Sequence, residues 1–99
     1  MYVALVTEDG EELERVDRIE RVWDIMPSPQ DSTFAVLCEI DEYGDTTFNH
    51  LQLPRLLEEW ARLYERTNEQ TKLAVLTQVR VLAEECLAAP HRYLKFVGD

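Results

Sequence analysis

The longest apolar pattern in the chain, Leu53–Leu87, repeats with a helical period on either side of a polar interruption near Asn68. Apolar residues three and four positions apart share one face of a helix, so the pattern predicts two helices joined by a short turn. Thr67, with Gln70 three residues later, resembles a capping box at the start of the second helix. An alternative interpretation is one uninterrupted helix over residues 54–88, whose apolar face would need a partner chain.

The N-terminal pattern predicts a strand over residues 2–7, because the run is apolar and rich in β-branched residues. Asp9-Gly10 is typical of a tight hairpin turn. Residues 11–16 alternate weakly and favour the return strand. The same region also fits a helical stripe formed by Leu13, Val16, Ile19, Trp23 and Met26.

Asp17 followed by Glu20 has the spacing of a second capping box, so we place the strand up to Val16 and a short helix at residues 18–25.

The middle of the chain begins with a proline-containing loop over residues 27–32. Residues 33–40 then predict a strand, because residues 34–38 are consecutively apolar. Such a run indicates a strand covered on both faces or lying in a subunit interface. Residues 41–44 predict a turn. Residues 45–50 predict a second strand, which pairs with the strand at residues 33–40 in a hairpin. Residues 91–97 predict a final strand.

These elements predict a single globular α+β domain over residues 1–99. Its antiparallel sheet contains two hairpins plus the C-terminal strand and packs in two layers on the helical hairpin, with one extra short helix. A chain of 99 residues is long enough for one domain with one core.

The charge of the chain is −10 and is confined to one half of the sequence. Residues 1–45 hold 13 Asp and Glu against three Arg, whereas residues 46–99 hold seven of each sign. Nucleic-acid binding relies on Lys and Arg contacts to phosphate, so we expect no direct binding to DNA or RNA. We expect a protein partner instead, basic in character.

The densest acidic stretch predicts the partner-binding surface, although a solvated hairpin that maintains solubility and protects a strand edge explains the same composition. This acidic stretch comprises Glu8, Asp9, Glu11, Glu12, Glu14 and Asp17.

Membrane association and secretion are not expected. The N-terminus lacks a basic leader, and no apolar run reaches the ~18–20 residues of a membrane span. The two cysteines, Cys38 and Cys86, fit small buried hydrophobic residues in a reducing cytoplasm better than a disulfide.

The sequence contains no motif for a metal, a cofactor or a catalytic group. Zinc sites usually include ligands that are close in sequence, whereas His50, His91 and the cysteines are widely separated. The glycines are isolated, so no phosphate-binding loop is present. Twenty acids always offer some carboxylate pair, so pairing carries little information about acid–base catalysis.

Three functions are compatible with these features. We favour a non-enzymatic interaction protein that binds a partner through its acidic half, one form being an inhibitor of a basic nucleic-acid-handling protein. The second is a small-molecule or enzymatic pocket between sheet and helices. The third is a structural homodimer, suggested by the apolar residues 34–38 and 93–97. The residues expected to line the pocket of the second are Trp23, Tyr43, His50, Trp60 and His91.

Overall fold

A computed structural model describes residues 1–99 and contains four strands and two α-helices. Four short 3-10 helices occupy much of the remaining chain, at Ile19–Ile25, Ser32–Phe34, Leu37–Glu39 and Tyr64–Arg66. The main elements are β1 (Tyr2–Thr7), β2 (Glu12–Asp17), β3 (Asp45–Phe48), α1 (Leu53–Leu63), α2 (Gln70–Leu87) and β4 (Arg92–Val97).

The four strands form one antiparallel sheet in the order β2-β1-β4-β3. Val3 lies between Val16 of β2 and Phe96 of β4, and Phe48 of β3 lies beside Leu94. All five side chains are buried in the core that separates the sheet from the helices. The predicted two-layer α+β class is therefore confirmed.

The core centres on Phe96, whose ring lies 5.7 Å from that of Phe48 and 6.1 Å from that of Trp60. Trp60 also donates its indole Nε1–H to the carbonyl of Leu76 at 2.9 Å, which links α1 to α2. A buried indole N–H needs such a partner. Neither helix has the length and apolar character needed to cross a membrane.

The predicted pair of helices is confirmed, and the single long helix is excluded. The chain leaves α1 through the 3-10 turn at Tyr64–Arg66 and becomes extended at Thr67. The predicted capping box is wrong, because the N-cap residue is Glu69 and it makes no side-chain capping bond. The Thr67 hydroxyl instead accepts a hydrogen bond from the Glu69 amide at 3.1 Å.

The N-terminal hairpin is confirmed, with residues 12–17 as a strand rather than a helix. Gly10 has φ of +85°, a conformation that suits glycine in a tight turn. The Asp17–Glu20 capping box is wrong: Asp17 is the last residue of β2 and pairs with Tyr2, so Arg18 becomes the N-cap of a 3-10 helix.

The strand predicted at residues 33–40 is wrong, because this segment forms two 3-10 turns. Its buried residues are Phe34, Leu37 and Ile40, which recur every three positions as a 3-10 helix requires. The Glu59 carboxylate of α1 accepts hydrogen bonds from the amides of Val36 and Leu37. These two amides therefore point toward α1 and do not pair with a neighbouring strand.

The second predicted hairpin therefore does not form, and β3 pairs with β4 instead. β3 also ends at Phe48 rather than at residue 50, because the Asn49 side chain accepts hydrogen bonds from the next turn. The loss of the strand at 33–40 removes one of the two observations that suggested a homodimer. The other observation, the apolar residues 93–97, is weakened because β4 is paired with a strand on both sides.

Candidate functional site

A cleft with a volume of about 470 Å³ opens between two irregular segments of the N-terminal half. One segment covers residues 23–29, and the other covers residues 37–43. Its lining residues include aromatic, aliphatic and acidic side chains but no Lys, Arg or His. They are Trp23, Met26, Pro27, Pro29, Leu37, Cys38, Glu39, Ile40, Asp41, Glu42 and Tyr43.

The first segment of the cleft is held by the helices. Trp23 lies in the 3-10 helix Ile19–Ile25. Ile19 and Val22 of this helix are buried in the core, and the Trp23 indole is left half-buried at the surface. Arg66 donates a hydrogen bond to the carbonyl of Ile25 at 2.8 Å. Lys72 of α2 forms an ion pair with Asp24. Lys72 therefore lowers the pKa of Asp24 and stabilises this attachment.

The second segment is held by Glu59, which is 0% exposed. Its carboxylate accepts from the Leu37 amide at 2.9 Å and from the Val36 amide at 3.1 and 3.2 Å. Arg55, on the same helix face, neutralises the charge at 2.8 Å. A buried carboxylate needs such partners, so α1 fixes the position of this wall.

The turn at residues 41–44 completes the second segment. The Asp41 carboxylate accepts from the Tyr43 amide at 2.9 Å, and the Thr46 hydroxyl accepts from the Asp41 amide at 3.1 Å. The end of β4 supports the turn, because Gly98 donates to the carbonyl of Gly44 at 2.8 Å. Tyr43 is presented at the tip with 76% of its surface exposed.

Glu39, Asp41 and Glu42 carry the charge of the cleft, and none of the three forms an ion pair within the protein. The Glu39 and Glu42 carboxylates also accept no hydrogen bond, whereas Asp41 uses one oxygen for the turn. Carboxylates without internal partners beside an apolar wall favour a positively charged ligand.

The predicted pocket residues are divided among three places. Trp23 and Tyr43 both line the cleft, while Trp60 is buried in the core at 1% exposure. His50 and His91 both line a shallower groove at the opposite end of β4, where the His91 Nδ1 lies 2.7 Å from the Glu8 carboxylate. The Nε2 atom of His50 is buried without a hydrogen-bond partner.

The predicted acidic stretch does not form one continuous surface. Arg15 pairs with Glu12 at 3.4 Å and with Asp17 at 3.8 Å, while Glu8 pairs with His91. Asp9 and Glu11 remain exposed without an ion pair near the hairpin turn.

Glu14 faces the opposite way, toward α2, because it stands beside Leu5 on the core side of the sheet. Its carboxyl group lies within hydrogen-bonding reach of Glu85, and this contact raises the pKa of Glu85. Burial and the negative charge of Glu14 act in the same direction, and Arg92 opposes them. The pair lines a groove between β2 and α2.

The sequence predicts a turn at residues 41–44, and no local pattern connects the acids of this turn with Trp23. The missed residues of the cleft are Glu39, Asp41 and Glu42. The period of three in Phe34, Leu37 and Ile40 was the available signal, since it places Glu39 and Asp41 outside the core.

No group of three or more His, Cys, Asp or Glu side chains is arranged to hold a metal ion. The two thiols are unpaired: Cys38 is partly exposed in the cleft, whereas Cys86 is buried in the core. Burial raises the pKa of the Cys86 thiol to about 11, which makes that thiol unreactive.

The fold and the cleft define a small two-layer α+β protein with an acidic surface site. Comparisons with known protein families, with curated proteins and with solved structures gave no match to this chain.

Proposed function

We propose that this protein is an interaction protein that binds a positively charged partner protein through its acidic N-terminal half. The observation that carries the proposal is a set of carboxylates in residues 1–45 that lie in no ion pair. Asp9 and Glu11 near the hairpin turn form one group, and Glu39, Asp41 and Glu42 at the cleft form the other; Glu14 is also in no ion pair but faces α2.

Complementary charge supports this function because it steers encounter and suppresses binding to other acidic proteins. The two groups lie apart in the fold. The hairpin turn follows Thr7, which pairs with Arg92 at the start of β4. The cleft segment at residues 42–44 contacts the chain just after Val97, at the other end of β4. A partner can therefore use one group without the other. A nucleic-acid-handling protein with a basic phosphate-binding surface is one class of such a partner.

A cytoplasmic location belongs to the same proposal. Cys38 is partly exposed and Cys86 is buried, and neither is in a disulfide. A reducing compartment would keep both in this form.

Three double variants test the proposal, each removing two unpaired carboxylates. Asp9→Asn with Glu11→Gln changes the hairpin, Glu39→Gln with Glu42→Gln changes the cleft, and Glu58→Gln with Glu65→Gln is the control in the neutral half. The five Glu and one Asp are changed to their amides, so shape is conserved and each variant loses the same charge.

Proteins retained from the source-cell lysate by each variant are compared by quantitative mass spectrometry at low and moderate salt. We expect a basic protein whose retention falls with salt and falls again in the hairpin or the cleft variant, but not in the control. Equal retention by all three variants would contradict the proposed function.

A further inference from the structure

We propose that the cleft binds an arginine side chain presented by an extended segment of the partner protein. This inference rests on the proposed function and names both the surface that is used and the chemical group that is recognised.

The cleft lacks internal cations. Three carboxylates line it, and the chain supplies no Lys, Arg or His to the same lining. A charge-assisted hydrogen bond to a carboxylate is stronger than a neutral one, and two carboxylates without partners, Glu39 and Glu42, leave all of their acceptor positions open.

Arginine side chains of the protein cover two of its other aromatic rings. Tyr2 has the guanidinium of Arg15 over its ring at 3.5 Å. Phe34 is covered by Arg62 at 4.4 Å and by Arg66 at 4.7 Å.

Trp23 and Tyr43 have no such cation from the chain itself, although both line the acidic cleft. A planar guanidinium can stack on an aromatic face while its N–H groups bond carboxylates, which an ammonium does less well. The combination of two aromatic rings with unpaired carboxylates therefore favours arginine.

The size and lining of the cleft favour an extended segment as the carrier of the arginine. The volume of the cleft falls within the range of roughly 300–1,000 Å³ that holds a ligand larger than one small ion. Met26, Pro27 and Pro29 provide an apolar surface for flanking residues, as grooves for extended peptides do. Glu59 of α1 fixes one wall, and Arg66 of the 3-10 turn with Lys72 of α2 fixes the other, so little order has to be gained on binding.

The probe is a mixture of hexapeptides with arginine fixed at the third position and uncharged residues randomised elsewhere. The matched mixture carries citrulline, which keeps the shape of arginine and lacks its charge. Binding is followed by the NMR signal of the Trp23 indole N–H and by the rate at which iodoacetamide alkylates Cys38. Cys38 is the cleft thiol, and buried Cys86 is the internal reference.

We expect the arginine mixture to shift the Trp23 signal and to slow alkylation of Cys38. We expect the citrulline mixture to bind about tenfold more weakly or worse, because charged hydrogen bonds contribute about 1.5–3 kcal/mol and 1.4 kcal/mol corresponds to tenfold. Equal binding of the two mixtures, or no binding of either, would overturn the inference.

The variants identify the surface. Glu39→Gln with Glu42→Gln should remove binding of the arginine mixture, and Tyr43→Ala should weaken it, while Glu58→Gln with Glu65→Gln leaves it unchanged. None of the four glutamate side chains, nor the Tyr43 side chain, makes a hydrogen bond or an ion pair within the protein. Each variant should therefore fold, which amide NMR dispersion verifies. Binding that survives the cleft variant would overturn the assignment to the cleft.

Failure of this inference and failure of the proposed function have different signatures. If the hairpin variant alone reduces retention of a basic partner, the proposed function stands and the arginine cleft is wrong. If no variant changes retention, the proposed function is wrong regardless of the peptide result.

Discussion

At the scale of single residues, Glu59 determines the shape of the candidate site. Its buried carboxylate faces the amides of Val36 and Leu37, so a residue of α1 decides that the segment leading to the cleft is a turn. A carboxylate at an exposed position could not accept hydrogen bonds from these amides and would not hold the segment as a turn.

The Glu59→Ala variant should be markedly less stable. The two amides would lose their acceptor in a buried environment, at a cost of about 1–3 kcal/mol for each donor left unsatisfied. The free energy of unfolding in urea measures the loss. Glu58→Ala, at the adjacent exposed position, is the control and should change it by no more than about 0.5 kcal/mol. Equal stability of the two variants would contradict the role of Glu59.

The two thiols should differ sharply in reactivity. Cys38 is partly exposed, whereas Cys86 is buried with its pKa raised to about 11. Since the thiolate is the reactive form, iodoacetamide should modify Cys38 in the folded protein and modify Cys86 only after denaturation. Peptide mass spectrometry measures both, and prompt labelling of Cys86 in the native state would contradict this packing.

At the scale of elements, the irregular segment at residues 32–40 is the main departure from the sequence prediction. Its buried positions recur every three residues. Leu37→Ala should therefore destabilise the protein by about 2–5 kcal/mol, as other buried leucines do. Ala35→Ser, at an exposed position of the same segment, should change stability by no more than about 0.5 kcal/mol. A strand buried on both faces would make both changes costly, and urea unfolding distinguishes the two.

The contact between β2 and α2 should make stability depend on pH. The pKa of Glu85 is raised above its ordinary 4.5 because the protonated carboxyl can bond Glu14. A raised pKa in the folded state means that this contribution is fully present below 4.5 and is lost as pH rises through the raised value.

The Glu85→Gln variant tests this dependence, because its amide can donate to Glu14 at every pH. Its melting temperature should exceed that of the wild type at neutral pH and match it below pH 4.5. Glu58→Gln, an exposed glutamate without a partner, serves as the control. An unchanged or lower melting temperature for Glu85→Gln at neutral pH would contradict the contact.

Local patterns predicted the regular elements well. β1 and both helices follow from apolar periods that lie within one segment, as at Leu53–Leu87. The turn at residues 33–40 depends on Glu59 and Arg62 of α1, which lie 22 and 29 residues from the residues that they contact. Since the same apolar run fits a buried strand, no local pattern could have excluded it.

The candidate site also depends on contacts between residues that are distant in sequence. Trp23 and Tyr43 were both expected in a pocket, and both line the cleft, but the expected pocket lay between the sheet and the helices. That space is filled by Trp60 and the phenylalanines of the core. The carboxylates that join Trp23 in the cleft are brought there by the turn that local reasoning missed.

At the scale of the whole molecule, the neutral C-terminal half holds the acidic half in place. Both α-helices belong to residues 46–99. Side chains of α1, of α2 and of the 3-10 turn between them fix the two segments that form the cleft. The acidic half supplies the cleft and the hairpin, with unpaired carboxylates on both. We therefore infer that the helical pair is a scaffold and that binding takes place on what it supports.

The most direct test of this account is an NMR titration of the isotopically labelled protein with the arginine hexapeptide mixture. We predict that the perturbed amides lie in residues 23–29 and 37–43, together with the indole N–H of Trp23, and that added salt reverses the shifts. Shifts confined to the hairpin at residues 8–14, or spread over the exposed faces of α1 and α2, would contradict it.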